Sequence, residues 1–492
     1  MSSPIKLTFT HWLIIIIASL GFLFDTYQLL MTPLVGPPAI MELAKLPPGH
    51  VAVKDWMGTL LWSSALCGGV FGLLGGWLTD RLGRKFVMAL GIFIYSLSPV
   101  AGAFSQTLTS FILFRCLTFI GVCIEFVAAI TWLAEVFHFR AQRAKWLGIT
   151  QAFASLGGVV VTGVNFWIVA HAKDLPSWGM PLAGDGHPAS WRYLLLTGLI
   201  PAVLIAIMLP FVPESQVWKQ SKDAGTLKRP SFGELFSPGL IRATLVTALL
   251  SACAYGVAFG VLQQTPGGVV PGLPDLKDQR DALKPLVIEA KKLSADFDAT
   301  APGSPERKAA ADAVKANFGK QKKLQDEVKQ VANEVQEYQE TGGLVGRIAL
   351  AVLLIVGLGR HLILRLLQIP GLIVLPVTYF LFYHQGAHAF VWGIALIGFV
   401  TMAQFSYLGE ILPKVFPMHL RGTGGSFATN VGGRMIGTSA AFLTPKIAAM
   451  FTGSTYDQMA RAAGYVGLVI VVLGIVAGLF LPNLQMLDKE EQ

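Results

Sequence analysis

Charge is what this sequence has least of. Only 14% of its 492 residues are Asp, Glu, Lys or Arg, against about 25% in ordinary soluble domains. That scarcity excludes a water-facing globular protein. Cysteine is almost as scarce. The four present, Cys67, Cys116, Cys123 and Cys253, all fall inside apolar stretches, so neither a disulfide framework nor a metal site is expected, and small core residues are the plainer reading. His384 and His388 stand in a short loop, and no metal is expected there either. There is no Gly-x-x-x-x-Gly-Lys-Ser/Thr run, which leaves ATP-driven chemistry without the residues it needs. No cofactor is expected, and the chain does not read as an enzyme. The first apolar run, His11 to Pro33, is too long for a cleavable signal and lacks a small-residue cleavage site, so it reads as a retained helix.

Long hydrophobic runs take the place of charge. Hydrophobic residues make up 53% of the chain, and the mean hydropathy is +0.58. Runs of roughly 18 or more apolar residues read as membrane-spanning helices. The expected spans are 10–34, 57–78, 86–105, 108–134, 145–170, 191–212, 243–265, 343–358, 362–383, 388–409, 421–445 and 463–482. That describes an all-α membrane protein of twelve transmembrane helices in two six-helix halves. The N-terminal half is 1–212, a polar linker is 213–242, and the C-terminal half is 243–492.

The net charge of +9 sits mostly in short loops, at Arg81, Arg84 and Lys85; Arg140, Arg143 and Lys145; Arg360 and Arg365; Lys414 and Arg421. Lys/Arg excess in short loops marks the cytoplasmic side, so both termini are expected there, in a bacterial inner membrane. The charge therefore reports orientation in a lipid bilayer, and no nucleic-acid partner is expected. Between 266 and 342 a polar insert should face outside. From Asp275 to Thr341 it carries 12 Lys/Arg against 13 Asp/Glu, so it contributes almost nothing to the excess. Two heptad runs, Leu283 to Phe297 and Leu324 to Tyr338, flank Pro302-Gly303-Ser304-Pro305, which predicts an antiparallel extracytoplasmic helical hairpin. It is either decoration, or a lid or docking site for a protein partner.

Ionisable groups at mid-bilayer cost about 2.5 kcal/mol or more each, so those present usually face a cavity and serve a purpose. Asp25, Arg115, Glu125 and Arg434 stand out. Counting about 1.5 Å per residue from the expected span ends puts Asp25 level with Arg115 in an outer layer. The same count puts Glu125 level with Arg434 near the midplane. Asp25, Arg115 and Glu125 are the proton-coupling candidates, and Arg434 suits an anionic group held bidentately. Gln263, Gln264, Tyr27, Gln151, Asn430 and Trp392 are candidates for the rest of a substrate cavity, with Asn165 and Gln404.

The loop Gly76-Trp77-Leu78-Thr79-Asp80-Arg81-Leu82-Gly83-Arg84-Lys85 between two apolar spans resembles the signature loop between helices 2 and 3 of the major facilitator superfamily. Gly21-Phe22-Leu23-Phe24-Asp25-Thr26-Tyr27 resembles the helix 1 motif of its proton-coupled metabolite, organic-acid and phosphate symporters. Arg115, Gly121, Glu125 and Glu135 match that branch's helix 4 pattern. Gln263-Gln264 resembles the paired glutamines of sugar porters, Asn430-x-x-Gly433-Arg434 the helix 11 stretch of organic-acid symporters, and Pro213-Glu214-Ser215 a motif after helix 6. Two departures stand out: Gln28 replaces a second helix 1 acid, and Phe126 follows Glu125.

The resemblance implies a gate in which Asp80 meets a helix N-terminus across the boundary between the halves. Gly76, Arg81, Gly83, Arg84, Glu135, Arg140, Arg143, Glu410 and Arg421 would surround it. The expected function is proton-coupled symport of a small organic or inorganic anion by alternating access. The alternatives are a sugar or polyol porter, or a non-transporting receptor or scaffold that presents the hairpin.

Overall fold

The computed structural model describes residues 7–137, 140–183, 186–356 and 358–482. Among the described residues every regular element is helical. The N-terminal helices are α1 (Phe9–Leu43), α2 (Ala52–Leu82), α3 (Arg84–Ala103), α4 (Leu108–Val136), α5 (Arg140–Ala152) and α6 (Ala154–His171). Among the described residues ten helices are long and apolar enough to cross a membrane. Two other stretches expected to span are helical but differently built. One is the inner part of a 51-residue helix, Pro305–Ile355. The other begins at Arg421–Ser426, widens into a π-helical stretch, Phe427–Ile436, and resumes as Ala440–Ala448.

Buried apolar side chains divide along the chain. One cluster draws on residues between Ile14 and Val212, and two others draw on residues from Leu235 onward. Glycine sets how closely the helices of these two groups approach. A Cβ at Gly72 of α2 would lie 2.7 Å from the Cβ of Cys123 on α4 and 2.9 Å from Asn430 Nδ2 on the stretch after Arg421. Gly75 faces Ile124, and Gly76 faces Ser426 and the Gly422 carbonyl. α2 is thus wedged between α4 and the Arg421 stretch by a face that has almost no side chains.

The long helix Pro305–Ile355 uses the same device. It packs against the helix Ala387–Val415 through Gly342 and Gly346, where a Cβ would run into the carbonyls of Ala395 and Phe399. Small residues four apart let helix backbones meet in an apolar medium. The spacing does not break the helix, which runs unbroken from the polar insert into the apolar span, where the sequence suggested a boundary at 342. Lys277–Asp298 lies antiparallel to its outer part, joined by the turn around Pro302-Gly303. Asn317 and Gln321 are buried in the seam; Asn317 donates to Glu289 (2.8 Å) and Gln321 to the Leu286 carbonyl (3.1 Å). These polar contacts fix the register of a seam that would otherwise slide.

α1 continues to Leu43, nine residues past the expected end at 34, with Pro33, Pro37 and Pro38 inside it. The span expected at 145–170 is interrupted at Phe153, between α5 and α6.

Valine at Gly346 is expected to push the long helix off Phe399 and cost about 1–3 kcal/mol, as overpacking does. Thermal unfolding in detergent checks it. Gly163, inside α6 and with open space around its missing Cβ, should accept alanine with no loss. Equal melting of the two variants would refute the tight crossing.

Candidate functional site

Gly21 and Asp25 are one helical turn apart on α1. The empty space at Gly21 is taken by the Glu125 carboxylate of α4, and a Cβ at Gly21 would collide with Glu125 Oε1. This brings the Asp25 and Glu125 carboxyls together, and both are buried. They are close enough to interact electrostatically, and Asp25 also feels the charge of Arg434. Neither carboxyl makes a well-formed hydrogen bond with a described residue. Tyr95 of α3 faces both acids, and Tyr255 faces Arg434 and Asp25. The site therefore joins helices from both groups: α1, α3 and α4 on one side, and the Arg421 stretch with the helix Ile241–Val257 on the other.

Arg434 sits in the π-helical stretch, where one extra residue per turn widens the helix and redirects side chains, a common feature of functional sites. Its Nη1 donates to Asn430 Oδ1 at 2.5 Å, and Asn430 Nδ2 donates to Ser426 Oγ at 2.8 Å. The guanidinium carbon stands 5.6 Å above the Phe126 ring. Phe126, the departure noted beside Glu125, is thus the cation's aromatic floor.

The expected Asp25/Arg115 layer is not formed. Arg115 Nη2 donates to the Gln28 carbonyl (2.8 Å) and to Thr32 Oγ1 (2.5 Å), one to two turns beyond Asp25. The depth estimate failed because α1 is longer than its apolar run, so Asp25 lies deeper than counted. Asp25 belongs instead to the central layer with Glu125 and Arg434. The acceptor on Gln28 is its backbone carbonyl, and its buried side-chain amide makes no hydrogen bond with a described residue.

Several cavity candidates fall elsewhere. Tyr27 is buried within its own group, its Oη 2.5 Å from Thr197 Oγ1. Trp392 is exposed, with its ring edge-on to Tyr338 of the long helix at 5.2 Å. Gln264 donates to the carbonyls of Phe259 (3.5 Å) and Ala441 (3.4 Å), and the Gln263 side chain is exposed. Gln404 donates to the Leu367 carbonyl at 3.3 Å. Gln151 lies at the junction of the two groups. Its carbonyl, next to the break at Phe153, accepts from Arg347 Nη1 (3.0 Å), and its amide faces Gly409. Arg347, a further cation inside a span, was missed because it sits among residues that read as the start of an ordinary apolar run.

A second cluster lies at the Asp80 end of α2. The Asp80 carboxylate accepts from Gly422 N (2.9 Å), Thr423 N (2.7 Å) and Thr423 Oγ1 (2.8 Å), at the start of the helix that begins at Arg421. A carboxylate there meets free N–H groups and the positive end of the helix dipole. Arg84 is fully buried beneath it, 3.3 Å from Asp80 and paired through Nε and Nη2 with Glu135 at 3.0 and 2.9 Å. Its Nη2 also reaches the Met418 carbonyl at 3.2 Å, and Arg421 approaches Glu135 at 3.8 Å.

Gly83, at φ +107° and pressed on Glu214, lets the chain turn into α3. Glu214 accepts from the amides of Arg84 and Lys85, and Ser215 Oγ donates to Glu135 at 2.5 Å. Glu214, Ser215 and Thr423 are thus members that the motif reading left out, although Pro213-Glu214-Ser215 was its signal. Arg81 is not a member, because it is exposed and stacks on Trp77 at 4.8 Å. Glu410, expected to mirror Glu135, pairs with Lys414 at 3.1 Å in a separate crevice that also holds Arg347. The side chains of Arg140 and Arg143 lie outside the described residues.

This geometry has counterparts. The sequence profile of the Major Facilitator Superfamily matches residues 7–275. The niacin transporter NiaP of Acinetobacter baylyi is 25% identical over 205 residues, 42% of this chain and 41% of that protein. The arabinose-proton symporter of Bacillus subtilis is 25% identical over 229 residues, 41% of this chain and 47% of that protein. Inorganic phosphate transporter 1-1 of Oryza sativa subsp. japonica is 27% identical over 229 residues, 43% and 42% of the two chains. The chain spans less than half the length of these curated relatives. The solved structure of the proton:xylose symporter XylE bound to 6-bromo-6-deoxy-D-glucose matches with a TM-score of 0.64 at 16% identity, over 98% of this chain and 99% of that one. At that identity the likeness is one of fold.

Arg84→Met would leave two buried carboxylates without their cation and is expected to cost about 3–5 kcal/mol. Arg81→Gln should change stability by no more than about 0.5 kcal/mol. Thermal denaturation of the two variants side by side checks this, and equal melting would remove Arg84 from the cluster's centre.

Proposed function

The chain belongs to the Major Facilitator Superfamily, and from that premise we propose that it is a proton-coupled symporter of a small organic or inorganic anion. The observation that carries the reading is the placing of two buried carboxyls, Asp25 and Glu125, beside Arg434 where the two helix groups meet. With both acids ionised, the three groups sum to one negative charge, and an anion is repelled. Protons on the carboxyls relieve the repulsion between them and leave Arg434 as the uncompensated charge. An anion then binds to a site that protons have prepared. The coupling is reciprocal, so the anion also holds the protons in place.

In this reading twelve helices form the halves 1–212 and 243–492, joined by the linker 213–242, and the halves rock about the central site. The Asp80 cluster closes one end of the path, and the basic residues around it put that end in the cytoplasm, with both termini on the same side of a bacterial inner membrane. Similarity to a niacin transporter and a phosphate transporter supports an anion. A sugar is the second reading, favoured by Gln263-Gln264 and by similarity to an arabinose-proton symporter.

Proteoliposomes with an imposed pH gradient test this, with carboxylates, phosphate and sugars as solutes. Accumulation of an anion that collapses with a protonophore is expected. Asp25→Asn should abolish accumulation yet keep exchange. Arg434→Gln, which removes a charge-assisted contact of about 1.5–3 kcal/mol, should weaken anion binding roughly 10- to 100-fold. Accumulation by the Asp25→Asn protein would overturn proton coupling there, and sugar accumulation would select the second reading.

A further inference from the structure

The polar insert touches the N-terminal group at the end of the bundle opposite Asp80. The connection between α1 and α2 turns there at Lys45 and Gly49, which have φ +55° and +91°. His50, 3% exposed, places Nε2 3.2 Å from Asp298 Oδ1 at the tip of the insert. Its ring meets the Phe297 ring edge-on at 5.6 Å. Val51 N donates to Ser294 Oγ at 3.4 Å. Gly49 lies against Phe318 so closely that a Cβ would stand 2.6 Å from the Phe318 Cβ.

The tip is itself braced. Arg307 stacks its guanidinium 4.0 Å over the Phe297 ring and donates to the Thr300 carbonyl at 2.7 Å. Phe297 is therefore held between Arg307 and His50. Phe318 lies on the same unbroken helix as Arg347, which reaches the Gln151 carbonyl of α5 at 3.0 Å. The two residues are 29 positions apart, about 44 Å along a helix axis. One stiff helix from the C-terminal group thus meets the N-terminal group near both of its ends.

We propose that the insert is a clasp built into the chain, whose tip closes over the α1–α2 connection and must release whenever the two groups part at that end. The occupant of the tip is the chain's own segment 45–51. Gly342 and Gly346 of the helix bearing Phe318 and Arg347 are pressed against Ala395 and Phe399, which braces the helix where it enters the apolar span. Releasing the tip frees the outer part of this helix from the α1–α2 connection. The strength of the His50–Phe297–Asp298 contact sets how often that end opens. The proposal rests on rocking of the two groups and not on the choice of proton or anion.

The test needs no solute. Spin labels on Lys54 and Lys292, both exposed, report the distance across the clasp in lipid nanodiscs, after Cys67, Cys116, Cys123 and Cys253 are replaced by alanine. The parent protein should show one dominant short distance. His50→Ala and Phe318→Ala should each add a longer-distance population, and Asp298→Asn a smaller one. The Asp298 side chain is 60% exposed, so its replacement does not threaten the fold of the tip. Asp80→Asn, which loosens the other end, should leave the short distance dominant. Unchanged distributions in all three clasp variants, or a parent protein without a dominant short distance, would overturn the clasp. Either result would leave the proton and anion assays above untouched.

Discussion

A charge carried into the apolar part of a membrane protein must be answered by the protein itself, because no water is there to answer it. That constraint organises both clusters. At the Asp80 end the answer is complete: Arg84 lies between Asp80 and Glu135, and the carboxylate of Asp80 also takes the free amides at Gly422 and Thr423. In the centre it is incomplete, since two carboxyls share the neighbourhood of one guanidinium and make no well-formed hydrogen bond with a described residue. The satisfied cluster suits the proposed gate, and the unsatisfied one suits the proposed proton and anion site.

Both clusters depend on backbone proximity that only glycine allows. Gly21 makes room for the Glu125 carboxylate, Gly72 for Cys123 and Asn430, and Gly76 for Ser426. A methyl group at Gly72 or Gly76 would push α2 away from α4 and the stretch after Arg421, and one at Gly21 would displace the Glu125 carboxylate. The electrostatics therefore follow from close packing, and the packing from small residues on α2 and on the stretch after Arg421.

The insert reads differently in this light. Its outer helix does not stop where the membrane span begins, and its tip rests on the α1–α2 connection through Phe297, Asp298 and Phe318. Any movement of one helix group against the other is felt at both contacts of this rod, at Gly49 and at Gln151.

Hydropathy and the Gly76-to-Lys85 loop were enough to recognise the helical membrane architecture and the family, because these follow from local composition and spacing. The turn at Pro302-Gly303, the heptads of the insert and the list of buried charges were also legible. Pairings were not. Asp25 meets Glu125 and Arg434 and not Arg115, because pairing depends on where helices end and cross, and α1 outruns its apolar stretch. Tyr27 and Trp392 point away from the centre for a similar reason: the face a helix buries is chosen by its neighbours. Tyr95, Tyr255 and Arg347 joined the account only when the chain was folded, and Glu214 and Ser215, visible as a motif, found their partners only there. Sequence alone determined which chemical groups the membrane must tolerate, through the cost of burying each one. Tertiary structure alone decided which of them neutralise one another, because that is settled by distances between helices remote in the chain.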